Sequence, residues 1–427
     1  MKKFLILLIL IVALTGLSGC FKEKYEVTKE EYEFLKTLTP EEYERLKNFD
    51  LLLKAIDFVN DNYYSDIDYA DADVAAAIAF VGSLDRYSYM TLASNLASKS
   101  TAGIGLSLQV TEYNEYRITH VHPESPADTL SVGGTYRMRR GDYIYSINGT
   151  RVENKPLTFF NAVSAGGKDT ELTLTIRRGG QILDEDFECV KQELVLKQAY
   201  YIDDIDGVDP NIGYIKLMSF TETAEDDFVD CINSFLEDDN EYLILDLRGN
   251  GGGSSLIMSA IASYLVNDDA DSDKIPLIDF IDSDGNLQVF KTDENLFISR
   301  PIVVLVDSTT ASASEALVSA MIYYNNAVVV GVTTYGKGTA LNSPGINNGY
   351  IYDKDNNIPY AISIVVGKYY VYTNDPELDK LDGVTDNKYC IDEIGITPEY
   401  EPDSKEFKDE LKDDGYIVKA IEILLED

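Results

Sequence analysis

Ile302-Val303-Val304-Leu305-Val306 is an unbroken apolar run with four β-branched residues and no polar position to turn toward water. A half-solvated strand would alternate polar and apolar residues with a period of two, so this run needs cover on both faces. A second run, Ala327 to Val332, follows a helical stretch from Ser314 to Tyr324. Upstream, Ile212–Leu217, Thr223–Leu236 and Tyr242–Leu247 repeat the order strand, helix, strand. The alternation predicts an α/β core with a largely covered sheet, whose functional residues belong at strand ends and in the loops that follow them.

That core does not exhaust the chain, since 427 residues, 45% hydrophobic, predict more than one domain. At the start, Lys2 and Lys3 precede an apolar run from Phe4 to Leu14, short for a membrane span and of the length of a signal-peptide core. Leu17-Ser18-Gly19-Cys20 resembles a bacterial lipobox, which implies a signal peptide over 1–19 and a lipid on Cys20. The expected location is extracytoplasmic, on the cell membrane of a bacterium, held by that lipid. With 36 Lys+Arg against 74 Asp+Glu, the net charge of −38 repels nucleic acid and disfavours a polybasic membrane contact.

Beyond Cys20 the cysteines are Cys189, Cys231 and Cys390, an odd and scattered set that reads as buried small hydrophobes rather than a disulfide framework. The only histidines are His120 and His122, so a histidine base or a histidine-rich metal site has little to build on. Both read as structural or surface residues. No metal ligand set stands out, and the acidic stretches at 267–273, 281–285 and 353–357 lack the glycine and glutamate spacing of a calcium loop. The last two read as hairpin turns.

Residues 20–100 read as a helical region with a Ser- and Ala-rich linker at its end; Thr39-Pro40-Glu41-Glu42 has the form of a helix start, and helical patterns recur at 51–59 and 74–81. From 101 to 190 the period changes to two, with strands expected at 105–110, 116–121, 143–147 and 172–176 and turns at Asn148-Gly149 and Gly179-Gly180. Within this stretch Gly103-Ile104-Gly105-Leu106, Ser125-Pro126-Ala127-Asp128, Gly141-Asp142-Tyr143-Ile144 and Ile147-Asn148-Gly149 follow one another in an order that resembles a PDZ domain of the protease-associated type. That resemblance implies a loop, Gly103, Ile104, Gly105 and Leu106, that binds the C-terminal carboxylate of a protein tail, the tail adding to a sheet edge. The link from Ala127 to Gly141, with Arg137, Arg139 and Arg140, is longer than usual for such a domain. Residues 191–427 hold the α/β core.

Three core loops carry chemistry. Strand 302–306 runs into Asp307-Ser308-Thr309-Thr310-Ala311-Ser312-Ala313-Ser314-Glu315, which places serines among small residues at a helix mouth. An ordinary N-cap has the same form. Strand 327–332 ends in Gly336-Lys337-Gly338, where a partly desolvated lysine acquires a lowered pKa suited to a general base. Asp246-Leu247-Arg248-Gly249-Asn250-Gly251-Gly252-Gly253 offers backbone N–H groups to an oxyanion and lacks the Lys-Ser/Thr of a phosphate loop.

Together with Leu84–Met90, Gly213-Tyr214-Ile215, Ser219-Phe220 and Gly395-Ile396-Thr397-Pro398, these motifs resemble the C-terminal processing peptidases, or tail-specific proteases, Ser-Lys enzymes with an embedded PDZ domain. The resemblance implies an α/β multidomain fold and a lipid-anchored serine endopeptidase. It implies Ser312 as nucleophile, with Ser314 as its competitor, and Lys337, 25 residues later, as general base. Oxyanion donors would be the N–H of Ala313 and one from Gly252, with Gly253 as the alternative. Many members place a glutamine four residues after the lysine; here that position is Leu341, and Asn342 is the candidate orienting residue. The chemistry requires no cofactor. Protein substrates with free C-terminal tails are the expected partners, and the N-terminal helices are where a homodimer would form.

Two other readings use the same residues. One is a catalytically silent peptide-binding lipoprotein of the same fold, which the missing glutamine favours. The other is a cell-wall or β-lactam enzyme, which the absence of Ser-x-x-Lys disfavours, since Glu315 stands in the fourth position.

Overall fold

The computed structural model describes residues 69–93 and, apart from 112–113, 134–135, 154, 156–166, 204, 206–210, 269, 271, 343–349, 353–358, 380–386 and 406–410, residues 102–426. The signal segment, Cys20, the helices expected between 22 and 59, most of the linker and the acidic turn at 353–357 lie outside the described residues. The chain divides into two units, Met1–Met90 and Thr91–Asp427.

In the first unit, helix α1 (Tyr69–Gly82) covers the pattern expected at 74–81 and starts earlier. After it, the Asp85 carboxylate accepts the Tyr87 and Ser88 N–H groups at 2.7 and 2.8 Å and the Ser88 hydroxyl at 2.6 Å, which closes a tight turn.

The second unit opens with a sheet built from β1 (Leu106–Val110), β2 (Tyr116–Val121), β3 (Tyr143–Ile147), β4 (Thr150–Arg151), β5 (Glu171–Arg178), β6 (Gln181–Ile182) and β7 (Phe187–Val190). Its order is β1-β2-β3-β5-β6, with β4 on β3 and β7 on β5, and all these pairs are antiparallel. Asn148 and Gly149, with φ of 48° and 75°, make the two-residue turn between β3 and β4 that Asn-Gly predicts. Alternate side chains, Tyr116 and Ile118 on β2 and Leu172, Leu174 and Ile176 on β5, point into one apolar core. A short helix α2 (Pro126–Thr129), capped by Ser125, supplies Ala127 to it.

The core sheet comprises β8 (Ala199–Ile202), β9 (Ile212–Leu217), β10 (Tyr242–Asp246), β13 (Ile302–Val306) and β14 (Val328–Gly331) in that spatial order; β8 is antiparallel and the rest are parallel. Between β9 and β10 runs helix α3 (Ala224–Glu237), and α4 (Ser255–Leu265) follows β10. Strands β11 (Pro276–Asp282) and β12 (Leu287–Lys291) form a hairpin whose turn includes Asp284-Gly285, as read from the sequence. Helix α5 (Ala313–Tyr323) joins β13 to β14. Strands β15 (Thr339–Leu341), β16 (Val365–Tyr372) and β17 (Lys388–Cys390) complete a second, antiparallel sheet with β11 and β12.

The apolar run at β13 is buried on both faces, as its composition requires. Val304 and Val306 face a core shared with α3, α4, α5 and residues of β11 and β16. Val303 and Leu305 face Tyr416, Ile417, Ala420 and Leu424 of the C-terminal helix α6 (Gly415–Leu425). Each fully buried side chain of this size contributes about 1.5–3 kcal/mol. Cys189, Cys231 and Cys390 are buried thiols outside any disulfide, and burial pushes Cys189 up to about 11 and Cys231 up to about 12, out of reach of ordinary thiolate chemistry.

Candidate active site

Because β10, β13 and β14 are parallel neighbours, the loops that leave their C-terminal ends meet at one edge of the sheet. These are the loops of Gly249–Gly253, Ser312 and Lys337. Asp307 organises the middle one. Its Oδ1 accepts the Thr309 and Thr310 N–H groups at 2.9 and 3.1 Å and, across the gap, the Gly249 N–H at 3.1 Å. Thr310 Oγ1 donates to Leu247 O, and Asn250 O receives the Ala311 N–H and the Ser314 hydroxyl, all at 3.0 Å. Ser314 is therefore fully buried with its proton committed, which removes it as competitor to Ser312.

Ser312 stands at the N-cap of α5 with φ 59° and ψ −118°. A residue with a side chain rarely adopts this backbone, which costs about 1–3 kcal/mol and persists only where the surroundings impose it. Glu315, one turn into the helix and 0% exposed, is what imposes it. Its Oε2 accepts the Ser312 N–H at 2.8 Å and the Lys337 N–H at 2.9 Å; its Oε1 accepts the Gly336 N–H at 2.7 Å and the Thr334 hydroxyl at 2.5 Å. One buried carboxylate thus joins the main chains of the serine and lysine loops. The Ser-x-x-Glu spacing of a helix-start capping box is the sequence signal for it.

Lys337 is half-buried. Burial lowers its pKa below the usual lysine value, against an opposite pull from the Glu315 charge. The flanking glycines are small because of packing: a Cβ on Gly338 would stand 2.5 Å from Asp392 N, and one on Gly336 would stand 2.9 Å from Gly395 N.

Gly252 lies against the serine, and a Cβ there would meet Ala311 O at 2.7 Å, Ser312 Cβ at 2.8 Å and Ala313 N at 2.9 Å. Only glycine leaves the space before the Ala313 N–H open. The Gly252 N–H, however, donates to Asn250 Oδ1 at 2.9 Å, so the expectation that Gly252 supplies the second oxyanion donor gives way to the alternative, Gly253. A second correction concerns Asn342. Its Nδ2 donates to Ile362 O at 3.2 Å and its Oδ1 accepts the Ile364 N–H at 2.6 Å, so the amide pins the chain ahead of β16 and does not orient Lys337. Leu341 pairs with Val365 in the same sheet.

A second buried charge centre adjoins the glycine loop, and nothing in local sequence announces it. Asp246, 0% exposed, takes Arg248 Nε at 3.0 Å, Arg248 Nη2 at 2.6 Å and the Tyr214 hydroxyl at 2.7 Å, with Lys216 Nζ at 3.4 Å. Arg248 Nη1 donates to both oxygens of Asp414 at 2.8 and 3.0 Å, and Arg140 Nη2 approaches Asp246 at 3.8 Å and Asp414 at 3.6 Å. Burial alone would raise the Asp246 pKa; Arg248, then Lys216 and Arg140, hold it well below the carboxylate range. Burial lowers Lys216 to about 8 even so.

Nearby, His122 joins the first sheet to β8, with Nε2 at 2.9 Å from Ser107 Oγ and Nδ1 at 2.7 Å from Tyr200 OH. Burial lowers His120 to about 3 and His122 to about 4, so both are neutral structural residues.

Residues 211–369 match the model of peptidase family S41. That stretch is similar to an S41 peptidase domain. The matched stretch contains Ser312, Glu315, Lys337 and the glycine loop, whereas Arg140 and Asp414 lie outside it. Over 309 residues the chain is 29% identical to the carboxy-terminal processing protease CtpA of Bacillus subtilis strain 168, covering 70% of this chain and 62% of that protein. To CtpB of the same organism it is 26% identical over 314 residues, covering 72% of this chain and 62% of the relative. The chain thus spans about three-fifths of the length of both relatives. The solved photosystem II D1 C-terminal processing protease superposes with a TM-score of 0.52 at 20% identity, over 81% of this chain and 85% of that one, and so shares the fold.

Proposed function

We propose that this chain is a lipid-anchored serine endopeptidase that captures protein C-terminal tails and cuts them through an acyl-enzyme. The observation that carries the reading is the Glu315 carboxylate, which holds Ser312 in a strained turn at a helix mouth and the Lys337 main chain beside it. In the reaction neutral Lys337 Nζ takes the Ser312 Oγ proton as Oγ attacks the scissile carbonyl. The Ala313 and Gly253 N–H groups receive the oxyanion, at the end of α5 where the helix dipole favours negative charge. Lysine then returns the proton to the leaving amine, and a water activated by the same lysine releases the acyl group. Tail capture falls to the loop Gly103–Leu106, packed on Ser125–Ala127 with a Gly105 φ of 79°, beside β1 at the end of its sheet. The signal-like segment and Cys20 support membrane attachment through lipid on the extracytoplasmic side.

The commitment of Asn342 elsewhere favours one rival, a silent tail-binding lipoprotein. A single experiment separates the two: cleavage of an unfolded protein with an apolar tail by the full chain and by Ser312→Ala and Lys337→Ala. Cleavage by the parent and loss in both variants supports the peptidase. Tail binding without Ser312-dependent cleavage supports the rival. Parent activity should rise with pH through the lowered Lys337 pKa, because only the neutral amine accepts a proton; a limb unchanged in Lys337→Arg would remove lysine from the base role.

A further inference from the structure

We propose that Asp414, at the start of the C-terminal helix, is a positioning residue for the glycine loop and makes α6 part of the catalytic apparatus. The inference rests on the peptidase reading. Arg248 opens the loop, and its guanidinium is held from two sides. Asp246 grips it from two residues back, at the end of β10, which fixes the side chain only relative to its own stretch of chain. Asp414 grips it from 166 residues away in the chain, through both carboxylate oxygens. Arg248 and Asp414 are both 0% exposed, so water cannot replace either partner.

The charge arrangement makes Asp414 decisive. Asp246 and Asp414 form the ion pairs with Arg140, Lys216 and Arg248, and the Asp307 charge also acts on Lys216. Without Asp414, Arg140 and Arg248, which already oppose each other's charge, would lose the counter-charge they share and be pushed apart. The loop would follow Arg248. Its next residues carry the Gly249 N–H to Asp307, the Asn250 carbonyl to Ala311 and Ser314, and Gly252 against Ser312 and Ala313. A shift there misplaces the oxyanion donors, yet it leaves the Ser312–Glu315–Lys337 contacts in place. Asp414 also caps α6 by accepting the Tyr416 N–H at 3.0 Å, a role that Asn can retain.

The test compares the full-length parent with Asp414→Asn and Asp414→Glu. Expected for Asp414→Asn are a kcat lower by about tenfold or more, KM within about twofold, an unmoved lysine limb of the pH profile, and partial recovery in Asp414→Glu. Amide exchange of Gly249 and Gly252 should quicken by about tenfold while that of β13 holds, a readout independent of activity. If Asp414→Asn does not fold, Arg248→Lys, which keeps a charge but loses the two-pronged contact, carries the same expectations. Unchanged loop exchange, or a folded variant with parental kcat, overturns the proposal. So does exchange that quickens equally in β13, which marks a purely structural residue. A parent without Ser312-dependent cleavage counts against the peptidase reading alone, because loop exchange still decides the role of Asp414.

Discussion

Glu315 and Asp246 are both buried without exposure at the same edge of the same sheet, yet the protein neutralises them by opposite means. Glu315 is satisfied by three main-chain N–H groups and one hydroxyl; Asp246 is surrounded by Arg248, Lys216 and Arg140. The difference teaches what each can do. A carboxylate filled by amides shapes the backbone around it and joins the loops whose N–H groups it accepts. A carboxylate filled by cations cross-links distant segments, at the cost that each depends on the others. Lys216 and Lys337 differ accordingly: the first donates to Asp246 and to the Arg248 carbonyl and is a strut, whereas burial lowers the pKa of the second against the pull of the Glu315 charge, and Glu315 binds its main-chain N–H.

The contrast breaks or sharpens under substitution. Asp246→Asn should be the most damaging, lowering stability by about 3–5 kcal/mol in denaturant melts, because it strands buried cations. Glu315→Gln should cost less stability, about 2–3 kcal/mol, since the carboxamide keeps one acceptor oxygen but sets an NH2 against N–H donors. Its activity should nonetheless fall by about 100-fold in peptide cleavage, because the serine and lysine loops lose their common anchor. Equal stability losses in the two variants would dissolve the distinction between them.

Smaller effects test the surroundings. His120 and His122 bind protons in the unfolded chain near pH 6.5 but in the folded protein only near about 3 and about 4. Between those limits the unfolded state holds more protons, so stability falls as pH drops below about 6.5, by about 1.4 kcal/mol per pH unit for each histidine. His122→Asn should flatten that slope in pH-dependent melts, and an unchanged slope would place the acid sensitivity elsewhere. Asn342→Ala should be mildest for the chemistry, with about 1–2 kcal/mol lost and cleavage within about twofold of the parent. A large drop in rate would return Asn342 to the lysine.

Much of this was legible because it is local. The double-sided burial of β13 follows from an apolar run, the β3–β4 turn from Asn-Gly, and the serine and lysine loops from small residues at strand ends. The Glu315 anchor was half-legible, as a capping-box spacing whose second function, gripping the lysine loop, depends on a contact 22 residues away. The glycine loop was read as a donor of N–H groups, but which N–H is spent depended on the Asn250 side chain turning back on Gly252.

By itself, then, the sequence determined the α/β core with its covered sheet and the two-residue-period stretch before it, since periodicity and steric room act over a few residues. Tertiary structure alone decided the rest: that Ser314 is closed off, that Asn342 serves a strand, and that Asp246, Arg248, Arg140 and Asp414 form one charge centre. The physical reason is that a buried charge has no local signature. Asp414 caps a helix, and folding also brings it against an arginine 166 residues earlier, where the absence of water makes their pairing obligatory.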